Sequence, residues 1–357
     1  MNVTSFSDNI FSSAITDLQI TSTDTQVSVV FVDAGSANAT VFLDVALDTY
    51  NGQATLYDTR AAIEDYMKAE GLAFLSLEIQ LEGVNDATEI AEVTRCVIFC
   101  ESAVSVTPES VFLSSQKSKC IPRNQSDVIH FYYPGTGSIE ETWKLFYIGS
   151  SGTVVTVSEN RFWTAQGAGV KQLIVSSDYL TNEYQLSGTL LAASLTIGSR
   201  GMTFYFVDDI PDLVLSFRNV FNVIEKAFLH GVTKSKTSSE KSTATCGGID
   251  SFYDVVNSIE YQFESAPLTI DVATWLQQLV LSPYILKGEE EILITEHTCE
   301  VSDADDGLNS IKFTYQHPDG RLRIDLSSSG SSSPADEEPV NDNQEEEIQG
   351  GDPVLEA

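Results

Sequence analysis

Apolar and polar residues alternate along most of this chain with the period of a β-strand. Val27, Val29 and Phe31 form one such run. Val41, Leu43, Val45 and Leu47 form another, with Thr40, Asp44 and Asp48 turned the other way. Asn51-Gly52 follows directly as a tight turn. The strictest alternation is Leu75, Leu77, Ile79 and Leu81 against Ser76, Glu78, Gln80 and Glu82, and 90–99 is a further strand. Between these runs the period changes to that of a helix. Ala62, Ile63, Tyr66 and Met67 make one apolar stripe, which predicts a helix over 59–70 capped by Asp58 and ended by Gly71. Residues 1–103 therefore read as a β-sandwich with one helix lying on it.

Periodicity is lost over 104–126, where Ser, Pro, Lys and Asn gather, and this stretch reads as a linker. Residues 127–325 then repeat the same grammar as a larger β-rich domain. Strands are predicted at 128–133, 142–148, 153–157, 171–176, 185–197, 202–207, 213–217, 253–263, 291–301 and 311–315. Val272, Trp275, Leu276 and Leu279 predict a helix over 270–281, stopped by Ser282-Pro283. The stretch 202–231 stands at the centre of this arrangement. An apolar run ends at Asp208-Asp209-Ile210-Pro211, Leu213, Leu215 and Phe217 share one face, Asn219-Val-Phe-Asn222 precedes Glu225, and Gly231 closes the segment. Residues 326–357 are rich in Ser, Pro, Gly and acid, cannot bury enough surface to offset ordering, and read as a disordered acidic tail. The fold class expected is mainly β: two β-sandwich-like domains, each with one short flanking α-helix.

Composition changes the picture in one respect. The 357 residues carry a net charge of −33, and the nine acids and no bases of 327–357 leave −24 on the remainder. Such a field repels phosphate backbones and anionic lipid, which argues against nucleic-acid binding. No secretory leader and no apolar run of membrane-spanning length is present in the sequence, so the expected site of synthesis is the cytoplasm, with no membrane insertion. Five scattered cysteines fit reduced thiols better than a disulfide frame.

Candidate chemistry is sparse. His130, His230, His297 and His317 show no ligand spacing, and the cofacial pairs His297/Cys299 and Cys96/Cys100 lack further ligands nearby in sequence. Asp208-Asp209 is the best paired carboxylate, but adjacent strand residues face opposite ways, so a turn before Pro211 explains it. Asp303-Ala-Asp-Asp-Gly307 is similar to a calcium loop without its spacing and reads as a hairpin turn. No catalytic, cofactor-binding or metal-binding residue is assigned. Two aromatic clusters, Phe131-Tyr132-Tyr133 and Phe162-Trp163, could serve sugar stacking, though alternation puts half of each in a core. The basic concentration is Gly231–Ser242, with Lys234, Lys236 and Lys241 as candidate interaction residues for the acidic surface of another copy.

The segments YDTRAAIEDYMKAEGLAF (57–74), FYFVDDIPDLVLSFRNVFNVIEKAFLHGVTKSK (204–236) and PLTIDVATWLQQLVLSPYI (267–285) resemble uncharacterised structural proteins of Bacteroidetes phages and prophages. They cover under a quarter of the chain. The resemblance implies a virion component of tail, collar or baseplate type, assembled in the bacterial host cytoplasm and acting through self-association and other particle subunits. Tail-tube and distal-tail proteins are β-sandwiches with one flanking helix, which agrees with the order read from the residues. The expectation is a non-enzymatic structural subunit without cofactors; the alternatives are a glycan-binding module and a hydrolase.

Overall fold

Strand alternation closes into sheets in three successive stretches of the chain. The computed structural model describes residues 1–4, 6–36, 39–102, 107–108, 112–164, 167–198, 200–302 and 309–319. The acidic tail and the 303–307 turn lie outside the described residues. The protein is mainly β, with several sheets and three α-helices among the described residues.

The first stretch holds β1 (Asn2–Thr4), β2 (Asn9–Phe11), β3 (Leu18–Thr21), β4 (Gln26–Asp33), β5 (Thr40–Asp48), β6 (Gln53–Leu56), α1 (Thr59–Ala69), β7 (Phe74–Gly83) and β8 (Ile90–Ile98). A five-stranded sheet runs β2-β8-β7-β4-β5 and a three-stranded one β1-β3-β6. Leu18, Ile20, Val27, Val29, Phe31, Leu75, Leu77, Ile79 and Leu81 fill the space between them with Ile63 and Met67 of α1. Two details depart from the sequence expectation. Val41 is exposed, because the register shifts opposite Phe31/Val32 and turns Phe42 inward, where it stacks on Tyr66 at 4.2 Å. Asp58 does not cap α1: it sits at φ 57° with no side-chain cap bond. Thr59 does the local work, its hydroxyl donating to the Leu56 carbonyl and accepting from the Leu18 N–H. Gly71 ends the helix at φ 67°, a left-handed turn that a side chain would strain.

The second stretch holds β9 (Ser118–Pro122), β10 (Ser126–Tyr133), β11 (Ile139–Gly149), β12 (Val154–Trp163), β13 (Gly169–Ser176), α2 (Ser177–Glu183), β14 (Gly188–Ile197) and β15 (Arg200–Val207). A five-stranded sheet, β12-β11-β14-β15-β9, faces the pair β10-β13. Trp143, Leu145, Ala193, Leu195, Met202 and Phe204 meet Ile129, Phe131, Tyr133 and Val175 between them. The described part of 104–126 is thus built into this body. β9 lies parallel to β15 as an edge strand, and Phe112 and Leu113 are buried. Lys119 alternates inward with Ile121, so a buried cation breaks the apolar pattern that would mark the strand.

The third stretch holds β16 (Leu213–Arg218), β17 (Ile224–Leu229), β18 (Gly231–Cys246), β19 (Ile249–Ser265), α3 (Ile270–Leu281), β20 (Ile285–Lys287), β21 (Glu290–Glu300) and β22 (Ser310–Gln316). They form one seven-stranded sheet, β17-β16-β20-β21-β22-β19-β18. Residues 127–325, read as one larger domain, therefore contain two cores. In the third core Trp275, Leu276, Leu279 and Val280 of α3 pack on Leu215, Phe217, Phe263 and Phe313.

The turn between β16 and β17 joins all three bodies. Asn219 Nδ2 donates to the Leu113 carbonyl, and Asn222 Nδ2 donates to the carbonyls of Met67 and Leu72. Phe221 and Val223 share a buried cluster with Phe11, Ile98, Leu113 and Tyr132. The stretch 202–231 thus earns its central place through tertiary contacts rather than through chemistry of its own.

Candidate functional site

The three lysines singled out in the sequence lie on β18, the outer strand of a long hairpin. β18 pairs with β19 from Gly231↔Ser265 to Cys246↔Ile249, and Gly247-Gly248 turn the tip at positive φ. Only Tyr261–Glu264 of β19 pair with β22, so beyond them the hairpin has no third strand among the described residues. Ile259 is the outermost buried side chain of the arm among the described residues. From the Thr237↔Ile259 pair to the tip the arm extends roughly 30 Å, at about 3.3 Å per residue.

Lys234 and Lys236 sit at the base of this arm and Lys241 further out on the opposite face. Lys236 Nζ is 3.9 Å from Glu260, and Lys241 Nζ lies 5.2 Å over the Phe252 ring. No ion pair to Lys234 is found among the described residues. Residues 231–265 contain three lysines and five acids. The hairpin is therefore not a basic element: β19 supplies the opposing charge, and its exposed features are a backbone edge and the side chains of Ile249 and Phe252.

A second feature combines distant residues. The open side of the second body, between the edges of β12 and β13, holds a cleft of about 370 Å³. Glu141 forms its floor and is only 2% exposed. Its two oxygens accept the indole N–H groups of Trp143, at 2.5 Å, and Trp163, at 2.6 Å. Glu141 and Arg161 are direct partners in the β11–β12 ladder, which puts both on one face. Arg161 is ion-paired to Glu183 and stacked 5.1 Å over Tyr184; the Glu183 hydrogen bond raises its pKa. At the rim stand Phe162, 63% exposed, and Tyr179, 40% exposed. Tyr179 belongs to α2, which the apolar pattern does not reveal. The helix is announced only by its cap, the Ser176 hydroxyl accepting from the Tyr179 N–H at 3.0 Å.

Of the two aromatic clusters, Phe162-Trp163 splits between surface and interior as alternation predicts. Phe131, Tyr132 and Tyr133 are all buried, because β10 is covered on both sides. A larger cleft of about 680 Å³ lies at the junction of the bodies, between α1, the 218–222 turn and α3, with Arg218 stacked 5.1 Å over Tyr284. The other sequence candidates do not converge. Asp208 pairs with Arg123 at 2.7 Å and Asp209 is exposed. The five cysteines are free, and no three His, Cys, Asp or Glu side chains among the described residues are grouped as metal ligands. No helix among them is long and apolar enough to cross a membrane.

His130 gives a measurable pH signature. Burial lowers its pKa from 6.5 to about 4, against the opposing pull of the Asp127 carboxylate. The unfolded chain therefore binds the proton first, and stability present above pH 6.5 is lost as pH falls towards 4, by about 3 kcal/mol. Glu89, held down to about 2 first by the Thr23 backbone N–H, contributes stability that is lost as pH falls through about 4.5 towards 2, so it adds to the fall only at the acid end of this window. Urea midpoints between pH 7 and 4 should fall for the parent protein and fall less for His130→Phe.

No family model and no curated protein matches the chain. One solved structure that does, described as the plexin A4 full extracellular region, domains 1 to 8, is 9% identical over 90% of this chain, at a TM-score of 0.20. This chain spans 40% of that chain's length. At that score the likeness carries no argument, and what is established is a mainly β fold of several sheets carrying a long hairpin arm and an aromatic-rimmed cleft.

Proposed function

We propose that this chain is a non-enzymatic structural subunit that assembles with copies of itself and with neighbouring proteins, the β18–β19 arm reaching the next subunit. The observation that carries this reading is the arm itself. The outer edge of β18 is sixteen residues long and has no partner strand beyond β19 among the described residues. Long exposed edges are normally blunted or covered, and a neighbouring copy is one way of covering this one. Lys234, Lys236 and Lys241 then meet the acidic surface of that copy, while main-chain pairing supplies most of the contact. From the resemblance of 57–74, 204–236 and 267–285, the assembly is a phage or phage-derived tail, collar or baseplate, placed in the virion after assembly in the host cytoplasm.

Removing the arm tests the reading without touching a core. Residues 238–258 are deleted and Thr237 is joined to Ile259 through Asn-Gly, since the two are direct partners and a two-residue turn closes such a pair. The truncated protein should keep its circular dichroism and cooperative melting yet lose association, measured by light scattering alone and with the products of adjacent genes. A parent protein that stays monomeric in every mixture, or a truncated one that assembles equally well, overturns the proposal.

A further inference from the structure

We propose that the arm is received by β5 of the next copy, β18 adding to the five-stranded sheet of the first body as a sixth strand. This rests on the reading that the arm reaches a neighbour, and it names the edge that takes it. A strand that ends a sheet leaves one row of backbone N–H and C=O groups open to a further strand. Besides β18, four strands of eight residues or more end a sheet among the described residues: β5, β10, β12 and β13. β10 is buried on both sides. β12 carries Glu159 together with Arg161, and β13 carries Lys171 and no acid. β5 carries Asp44 and Asp48, both exposed, and no base. Charge therefore singles out β5 as the edge for a lysine-bearing strand.

The side-chain patterns of the two strands match. From Leu43 onward β5 alternates regularly: Leu43, Val45 and Leu47 pack on the first core, and Asp44, Ala46 and Asp48 are exposed on the outer face. β18 presents Ser239, Lys241 and Thr243 on one face, all exposed. The register shift after Ser242 is an extra residue on β19, so β18 keeps its own period. With Lys241 opposite Ala46, its ammonium has an aspartate on each diagonal, and the hydroxyls of Ser239 and Thr243 come opposite the aspartates themselves. The match holds for parallel and antiparallel pairing, because both patterns are symmetric about their centre. Asp48 accepts the Gln26 amide on one oxygen at 3.0 Å, which leaves the other for the incoming strand. Glu240 is turned to the opposite face, away from the aspartates. The same charges disfavour the competing pairings, since two β18 edges would set lysines together and two β5 edges aspartates. Because β5 and β18 belong to different bodies, the contact is head-to-tail and repeats from copy to copy.

Isotope-labelled and unlabelled full-length protein are mixed and treated with a carbodiimide, which joins a lysine directly to a carboxylate that it touches. Mixed-label peptides linking Lys241 to Asp44 or Asp48 should be recovered. Lys241→Glu should weaken association by about tenfold or more, as should Asp44→Lys with Asp48→Lys. Circular dichroism should not change, because all three side chains are exposed. Combining the three changes should restore association, an outcome that damage to either strand would not produce. Glu140→Lys with Glu159→Lys alters net charge equally through exposed acids of β11 and β12 and should leave association unchanged. The proposal is overturned by cross-links from Lys241 that run only within one chain, to another edge or to an adjacent gene product, or by failure of the triple change to restore association. Association that survives the Asp44/Asp48 reversal but not deletion of 238–258 sinks the β5 site and leaves the arm reading standing. A parent protein that never associates sinks both.

Discussion

Replacing Trp275 by Ala is expected to collapse the third core, lowering stability by about 5 kcal/mol or more. Three effects add. Trp275 is 4% exposed and packs against Phe217 at 5.5 Å, so truncation opens a cavity worth about 3–5 kcal/mol. Its indole N–H donates to Glu225 Oε2 at 2.9 Å inside the protein, and losing it leaves a buried carboxylate short of a partner, at about 1–3 kcal/mol. Lys119 Nζ also lies 5.4 Å over the indole ring and loses that face. Total stabilities of domains are about 5–15 kcal/mol, so the loss should appear as a large drop in the urea midpoint or as an unfolded third body. Trp275→Phe keeps most of the volume and should cost much less, which separates packing from the hydrogen bond. An unchanged midpoint for Trp275→Ala would mean that α3 does not carry this core.

Asp127→Ala should cost about 3–5 kcal/mol, because it strips a buried cation of its counter-ion. Lys119 Nζ and Asp127 Oδ2 are 2.5 Å apart, with both side chains almost fully buried between β9 and β10. The rings of Phe228 and Trp275 are the other neighbours of this ammonium, and neither replaces a carboxylate. The double change Lys119→Met with Asp127→Leu removes both charges and should restore stability to within about 1 kcal/mol of the parent, or above it. Because Lys119 touches both Asp127 and Trp275, Asp127→Ala and Trp275→Ala should not add. Chemical denaturation of the four variants measures this, and a double change as damaging as Asp127→Ala alone would show that volume rather than charge decides the site.

The arm and the cleft were legible to different degrees. Lys234, Lys236 and Lys241 stand out because they are crowded in an acidic chain, but their neighbours Glu260 and Phe252 come from β19, about ten to twenty-five residues away. Phe162 and Trp163 could be noticed as an aromatic pair. Nothing near them in sequence marks Glu141, 22 residues before Trp163, as the acid that orients that indole.

Local periodicity determined most of what is local. A side chain that recurs every second residue on one buried face produces a strand by itself, so 75–82, 202–207 and 213–217 could be read directly. The stripe on 270–281, the stop at Ser282-Pro283 and the turn at Asn51-Gly52 follow from equally short-range rules. Tertiary structure alone decided where alternation misleads. β9 hides because its inward Lys119 is neutralised by Asp127 on another strand, and β10 is buried on both faces because separate bodies cover them. The Asn219–Asn222 turn became the joint of the molecule because its amides meet carbonyls of Met67, Leu72 and Leu113, more than one hundred residues away. Hydrophobic period records whether a face leaves water; which distant group then satisfies a buried charge or amide depends on contacts that only the folded chain brings together.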